Sequence, residues 1–251
     1  MSVVAPPPNF DASLYKIDGA TMNRFNSMRQ SNSDEENDVA FNVLDKEFDN
    51  FDRIDFQNPR HKDELDGVFP IWLYNQANPL DRDLAYSMSR FDNRHGRFVT
   101  GCYENSQFEF KLISYKHRRL YGQKWRTRAG THPNNTPFIR IFTDDMTIFV
   151  IEGHRDLLNS LLLGLDVIMI PFAGYKNSEP LEMIEEVRDR NVVFLIEDDK
   201  AYKCMKPLAG EFASSAKSVL LKELGSAGKT DLSDYIQQFS TIQEVLDGLS
   251  S

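Results

Sequence analysis

The chain has 251 residues, of which 41% are apolar, 12% aromatic and 27% charged; this suits one large or two modest packed domains and excludes a disordered chain. A formal net charge of −9 excludes attraction to nucleic acid through the overall field, so any such contact needs a local basic surface. Two cysteines, Cys102 and Cys204, are too few for a zinc ribbon, and no apolar run is long enough to span a bilayer; the expectation is a cytoplasmic, reducing location with no membrane partner.

Residues 1–12 carry a proline run at Pro6, Pro7 and Pro8 and lack the basic-then-apolar layout of a signal peptide. Residues 1–96 read as an α-rich region, acidic at its start: residues 1–66 hold 14 acidic and 7 basic side chains. A polar loop covers 30–38. Val39, Phe41, Val43, Leu44, Phe48, Phe51, Ile54 and Phe56 then recur near helical spacing, which predicts an amphipathic helix. Phe69 to Tyr74 suits a buried strand. Asn78 and Pro79 mark a turn, followed by a helix from Leu80 to Met88.

Residues 97–144 read as a basic, β-containing subdomain. Phe98–Tyr103 and Phe108–Leu112 form a hairpin candidate with Glu104–Ser106 as its turn. Residues 111–140 hold eight basic side chains and no acidic one: Lys111, Lys116, Arg118, Arg119, Lys124, Arg126, Arg128 and Arg140. Tyr115, Tyr121 and Trp125 interleave with these cations. Cations meet phosphates and aromatic rings stack on bases, although Tyr115 and Trp125 read equally well as core residues.

Residues 145–251 alternate strands and helices. Strands are expected at Thr147–Ile151, Val167–Pro171 and Asn191–Ile196, with helices over Asp156–Leu163, Pro180–Arg190, Lys203–Leu224 and Leu232–Phe239. This alternation predicts an α/β fold with a parallel sheet flanked by helices. Ligands of such sheets bind at the carboxyl ends of the strands. The first strand delivers Glu152 there, and the third delivers Glu197, Asp198 and Asp199. Crowded carboxylates repel one another unless a hard cation offsets the charge, which points to Mg²⁺ or Mn²⁺. Alternation along a strand turns Glu197 and Asp199 the same way and Asp198 the other.

The run Ile151, Glu152, Gly153, His154, Arg155, Asp156, followed by Leu195, Ile196, Glu197, Asp198, Asp199, Lys200, resembles the Toprim domain of primases, topoisomerases and some nucleases. Its signature is Glu-Gly after one strand and Asp-x-Asp after a later one. Primase-type members extend the first motif to Glu-Gly-x-x-Asp, which Glu152, Gly153 and Asp156 match. Lys229, Asp231 and Asp234 are similar to a third, Lys-Asp-containing element. Two departures stand out: Glu197 replaces the first Asp, and Tyr202 follows Ala201 where primase-type domains carry Gly. They bear on catalytic competence and not on the fold.

The resemblance implies a Toprim-like parallel sheet preceded by a smaller α+β basic subdomain. It implies Glu152, Glu197 and Asp199 as Mg²⁺ (or Mn²⁺) ligands, with Asp156 orienting a ligand water, and Glu152 and Asp199 as catalytic. Lys116, Arg118, Arg119, Lys124, Arg126, Arg128, Arg155 and Lys200 are the expected phosphate contacts. Bland roles compete for several of these residues: a helix-start acid for Asp156, a helix cap for Asp231, an exposed first turn for His154 and Arg155, and a solvated acid for Asp198. The implied activity is primase-like nucleotidyl transfer on single-stranded DNA with nucleotides, in phage or mobile-element replication. A Toprim nuclease and a non-catalytic scaffold for nucleic acid or protein are the alternatives. A replicative helicase or polymerase is the expected protein partner.

Overall fold

The computed structural model describes residues 44–65, 67–106, 109–118, 125–127, 137–141, 146–171, 181–225 and 230–250. Residues 44–49 are helical, a shorter run than the sequence predicts, and Ile54 and Phe56 follow in irregular chain. Three helices come next: α1 (Pro59–Leu65), α2 (Ile71–Gln76) and α3 (Pro79–Ser87). The expected strand at Phe69–Tyr74 is therefore a correction. Pro70 occupies the N-cap of α2 with extended dihedrals, and burial is one-sided: Leu73 is fully buried while Ile71 and Trp72 are half-buried. A short apolar run cannot be assigned to strand or helix by periodicity, and here the flanking proline decides. Asn78 and Pro79 are the cap and first residue of α3, and the Asn78 side chain accepts from the Leu80 N–H at 2.9 Å.

A four-stranded antiparallel sheet follows, β1 (Ser89–Asp92), β2 (Arg97–Ser106), β3 (Glu109–Arg118) and β4 (Trp125–Thr127), in the order β1-β2-β3-β4. The hairpin is longer than expected. Glu104, Asn105 and Ser106, expected as the turn, belong to β2 and pair with Lys111, Phe110 and Glu109.

The second sheet has the order β5-β7-β6-β8-β9, with β5 (Phe138–Arg140), β6 (Thr147–Glu152), β7 (Val167–Ile170), β8 (Asn191–Ile196) and β9 (Ser218–Glu223). β5 pairs antiparallel to β7, and the other pairs are parallel. Its helices are α4 (His154–Leu162), α5 (Leu181–Glu186), α6 (Asp199–Phe212), α7 (Leu232–Ile236) and α8 (Ile242–Ser250). The fold is thus α/β with a mainly parallel sheet flanked by helices. The expected helix over Lys203–Leu224 is corrected: α6 ends at Phe212 and the chain returns as the edge strand β9. An edge strand keeps one face wet, so Ser218–Glu223 alternates weakly and carries Lys222 and an exposed Leu220, a pattern that also reads as helix.

The sheet buries both faces. Ile148, Val150, Phe194 and Ile196 pack with Met205, Leu208 and Phe212 on one side. Phe149 and Ile151 join Leu157, Leu158 and Leu161 on the other, in a core that also contains Phe91, Phe98 and Val99 of the antiparallel sheet. The N-terminal layer and the α/β layer therefore share one hydrophobic core. Among the described residues, no helix is long and apolar enough to cross a membrane.

Candidate functional site

Strands β6 and β8 are neighbours, in register from Thr147 opposite Asn191 to Val150 opposite Phe194. Their carboxyl ends open into a cavity of about 390 Å³ lined by Lys116, Glu152, Gly153, His154, Arg155, Asp156, Pro171, Glu197, Asp231 and Asp234. Glu152 ends β6, and Glu197 follows the last residue of β8, its carbonyl accepting from the Thr230 N–H at 3.2 Å. Two carboxylates from separate strands thus reach one cavity, as the sequence anticipates.

Asp199 does not join them. β8 stops at Ile196, Asp198 caps α6 by accepting from the Ala201 N–H at 2.7 Å, and Asp199 is the first residue of that helix, exposed and outside the cavity lining. The alternation expected to align Glu197 with Asp199 holds only inside a strand, and the cap ends the strand before it can operate. Lys200, the next residue, is also exposed.

Asp156 carries a structural load in place of the ligand-water role. It is buried in the first turn of α4 and accepts from the Leu232 N–H at 3.3 Å, the Ser233 N–H at 3.0 Å and the Ser233 hydroxyl at 2.5 Å, which fastens α4 to the start of α7. Burial, and next the nearby Asp231 charge, push its carboxyl up to about 7 against these hydrogen bonds. Asp231 is the N-cap of α7, accepting from the Asp234 N–H at 2.7 Å. Burial raises its pKa, opposed by the Arg155 charge. Arg155 pairs with Asp231 at 3.4 Å and Asp234 at 2.8 Å, so the expected phosphate contact is engaged by two aspartates.

His154 is buried, contrary to the exposed first turn considered from sequence, and its Nδ1 lies 3.3 Å from Lys116 Nζ. Burial, then the Lys116 charge, hold its pKa well below the usual histidine value, so the ring is neutral. Lys116 extends from β3 to the cavity. The remaining basic candidates separate. Arg118 donates to the Glu64 carbonyl at 2.8 Å and pairs with the Glu64 carboxylate at 3.5 Å, which commits it to packing against α1. Arg126 lies in β4, paired in register with His117. Arg119, Lys124 and Arg128 lie outside the described residues, as does Tyr121. Tyr115 is a core residue, 5.3 Å from Phe51 between ring centroids, so the base-stacking role is not its own.

The Lys116–His154 contact and the Asp156 clamp are features that sequence reasoning missed. The only signal was polarity: His154 and Asp156 stand in a helix otherwise rich in buried leucines, where an unpartnered polar group would be costly.

Among the described residues, no three His, Cys, Asp or Glu side chains gather as a metal-ion site. Mg²⁺ nonetheless suits a smaller protein donor set, since it commonly takes one or two carboxylates and completes its shell with water and substrate phosphate. Glu152 and Glu197 lining one cavity of this size, with room for water and a phosphate, fit that pattern.

No protein-family model matches the chain, and no curated protein sequence matches it. Similar solved structures exist. One is the Aquifex aeolicus primase, comprising zinc-binding and RNA polymerase domains: TM-score 0.54, 14% identity, covering 92% of this chain and 66% of that one. A second is a DnaG primase catalytic domain bound to single-stranded DNA: TM-score 0.51, 10% identity, covering 84% of this chain and 80% of that one. A third is a DnaG catalytic core: TM-score 0.53, 9% identity, covering 84% and 79%. The chain spans about two thirds of the first of these and about four fifths of the other two. At such identities the likeness concerns architecture, and the chain has a fold similar to that of primase catalytic cores.

Proposed function

We propose that the protein is a primase-like, metal-dependent nucleotidyltransferase that joins ribonucleotides on a single-stranded DNA template. The observation that carries this reading is the meeting of Glu152 and Glu197, from adjacent parallel strands, with Lys116 of the antiparallel sheet in one cavity. The fold likeness to primase cores supports it. Glu152 and Glu197 would hold Mg²⁺ or Mn²⁺, which when bound stabilises charge developing on a transferring phosphoryl group. Lys116 supplies a cation beside those carboxylates and binds phosphate oxygens. Glu152 also stands where it can take the proton of an attacking hydroxyl. Arg155 holds Asp231 and Asp234 at the cavity wall and keeps their charge from the incoming phosphate. The primer strand's hydroxyl and the nucleotide's α-phosphate would meet at the rim, where both partners reach solvent.

The test incubates the protein with single-stranded DNA, labelled ribonucleotides and Mg²⁺ or Mn²⁺. Oligoribonucleotides are expected from the wild type, and Glu152→Gln is expected to lower the rate by about 10²–10⁴-fold, the usual contribution of a positioned proton acceptor. DNA cleavage in place of synthesis would turn the reading to a nuclease. DNA binding with neither reaction would turn it to a scaffold.

A further inference from the structure

Among the described residues the parallel sheet ends at β9, and this edge lacks the features that keep a strand from pairing further. Guarded edges are short, bulged, broken by proline or fringed with outward lysines. The opposite edge, β5, is three residues long and buried along its length. β9 runs six residues without proline, in unbroken register with β8 from Asn191 opposite Ser218 to Ile196 opposite Glu223. Its one lysine, Lys222, is turned onto α8, where Nζ donates to the Gly248 carbonyl at 2.8 Å and the Leu249 carbonyl at 2.9 Å. Leu220 is 55% exposed, the most exposed large apolar side chain among the described residues.

The backbone of this edge has a definite direction. In a parallel ladder the N–H and C=O of one residue turn to the same neighbour, and successive residues alternate. The Asn191 N–H donates on the β6 side, to the Met146 carbonyl at 2.6 Å, so Val192, Phe194 and Ile196 turn to β9. The Ile196 carbonyl accordingly accepts from the Leu224 N–H at 3.5 Å. In this register Ser218, Leu220 and Lys222 bond to β8, and Val219, Leu221 and Glu223 present their N–H and C=O groups outward.

We infer that β9 pairs antiparallel with β9 of a second copy of this chain, about a two-fold axis at Leu220, joining two five-stranded sheets into one. A two-fold contact requires the strand to complement its own reverse, and β9 does so in this register. Leu220 meets its counterpart as a non-hydrogen-bonded pair, the closer of the two kinds, which covers both side chains. Val219 and Leu221, half-buried against the core of the α6 side, exchange backbone hydrogen bonds with Leu221 and Val219 of the second copy. Lys217 is held in line by its N–H bond to the Arg190 carbonyl at 2.9 Å and stands opposite Glu223 of the second copy; both are exposed. Moving the axis to Leu221 would set Val219 against Glu223 and Leu220 against Lys222. Moving it to Val219 would set Lys217 against Leu221. Apolar and charge complementarity thus select the same register. The reversed strand direction sends the carboxyl ends of the two parallel sheets opposite ways, so the two cavities open at opposite ends of the joint sheet. This association does not depend on the proposed function.

A strand pair of this length is a small interface, so association is expected to follow concentration through the micromolar range. Sedimentation equilibrium of the full chain over a concentration series should give a monomer–dimer equilibrium. Leu220→Lys sets two ammonium groups together at the axis and should leave the monomer, with urea unfolding to check that the fold is retained. Lys217→Glu and Glu223→Lys each oppose like charges at both ends of the pairing, and each should weaken the dimer by about tenfold. An equimolar mixture of these two variants should associate as the wild type does, because every charged cross-strand pair in the mixed dimer again joins opposite signs. Hydrogen exchange gives a second readout: the Val219, Leu221 and Glu223 amides should gain protection as concentration rises, while Leu220 and Lys222 are protected throughout. A chain monomeric at every concentration would overturn the inference, including one whose outward amides are already protected by another segment of itself. A dimer indifferent to Leu220→Lys, or a variant mixture that associates no better than its parts, would overturn it as well.

Discussion

At the scale of single residues, the acids of the α/β layer differ in position. Glu152 and Glu197 line the cavity at strand ends, and Asp156, Asp231 and Asp198 each accept from backbone N–H groups. Asp156 shows the consequence for stability. Its ordinary value is 3.8, and burial first, then the Asp231 charge, raise it to about 7 in the folded protein. Between those values the folded state binds more protons than the unfolded chain, so stability falls as pH rises through this window and is greatest below it. Each unit of difference is worth about 1.4 kcal/mol. The depressed His154 pKa works in the opposite sense over the same range, so the comparison is between proteins: from pH 5 to pH 8 the wild type should lose more stability, or gain less, than Asp156→Asn in urea unfolding. The same change with pH in both proteins would refute the assignment. The sequence marks Asp156 as an acid one turn past Glu-Gly, but it cannot say that Ser233, 77 residues on, would receive it.

At the scale of elements, the caps decide where strands and helices end, and through that which acids can meet. Asp198 is the clearest case: by capping α6 it turns Asp199 away from the rim. Asp198→Ala should cost about 1 kcal/mol, the usual worth of such a cap, measured by chemical denaturation. The same treatment of Asp199, which caps nothing, should leave stability nearly unchanged. Helix α4 is the central element. Asn159 donates to the Val68 carbonyl at 2.8 Å and to the Ser233 hydroxyl at 3.0 Å, so one helix joins the N-terminal layer, the parallel sheet and α7. The strands β6, β7 and β8 were legible because each is a short run of β-branched and aliphatic residues buried on both faces. β9 and α2 were not. One is a half-wet edge strand, and the other is an apolar six-residue run whose type depends on Pro70.

At the scale of the whole molecule, the two sheets are held in one body by a shared core and by a buried cation. Arg140 of β5 donates to the Leu165 carbonyl at 2.7 Å, bonds the Asp81 carboxylate of α3, and lies 3.8 Å from Asp166. The Asp166 side chain is fully buried, with Arg190 3.8 Å away on its other side. Arg140→Met leaves Asp81 without this partner and Asp166 short of one cation. The expected loss is about 3–5 kcal/mol, read from the urea midpoint, because removing one member of a buried pair strands the other's charge.

By itself the sequence determined the α/β alternation, the placement of Glu152 and Glu197 at strand ends, and the concentration of positive charge ahead of them. Those features depend on residues close in the chain, whose periodicity and charge are visible without a fold. Only the tertiary structure decided which acids face the cavity and which act as caps or clamps, and that Lys116 lines it while Arg118 and Arg140 are engaged elsewhere. Lys116 and His154 are 38 residues apart and Asp156 and Ser233 are 77 apart, and contacts over such separations are set by how the layers pack and not by local propensity.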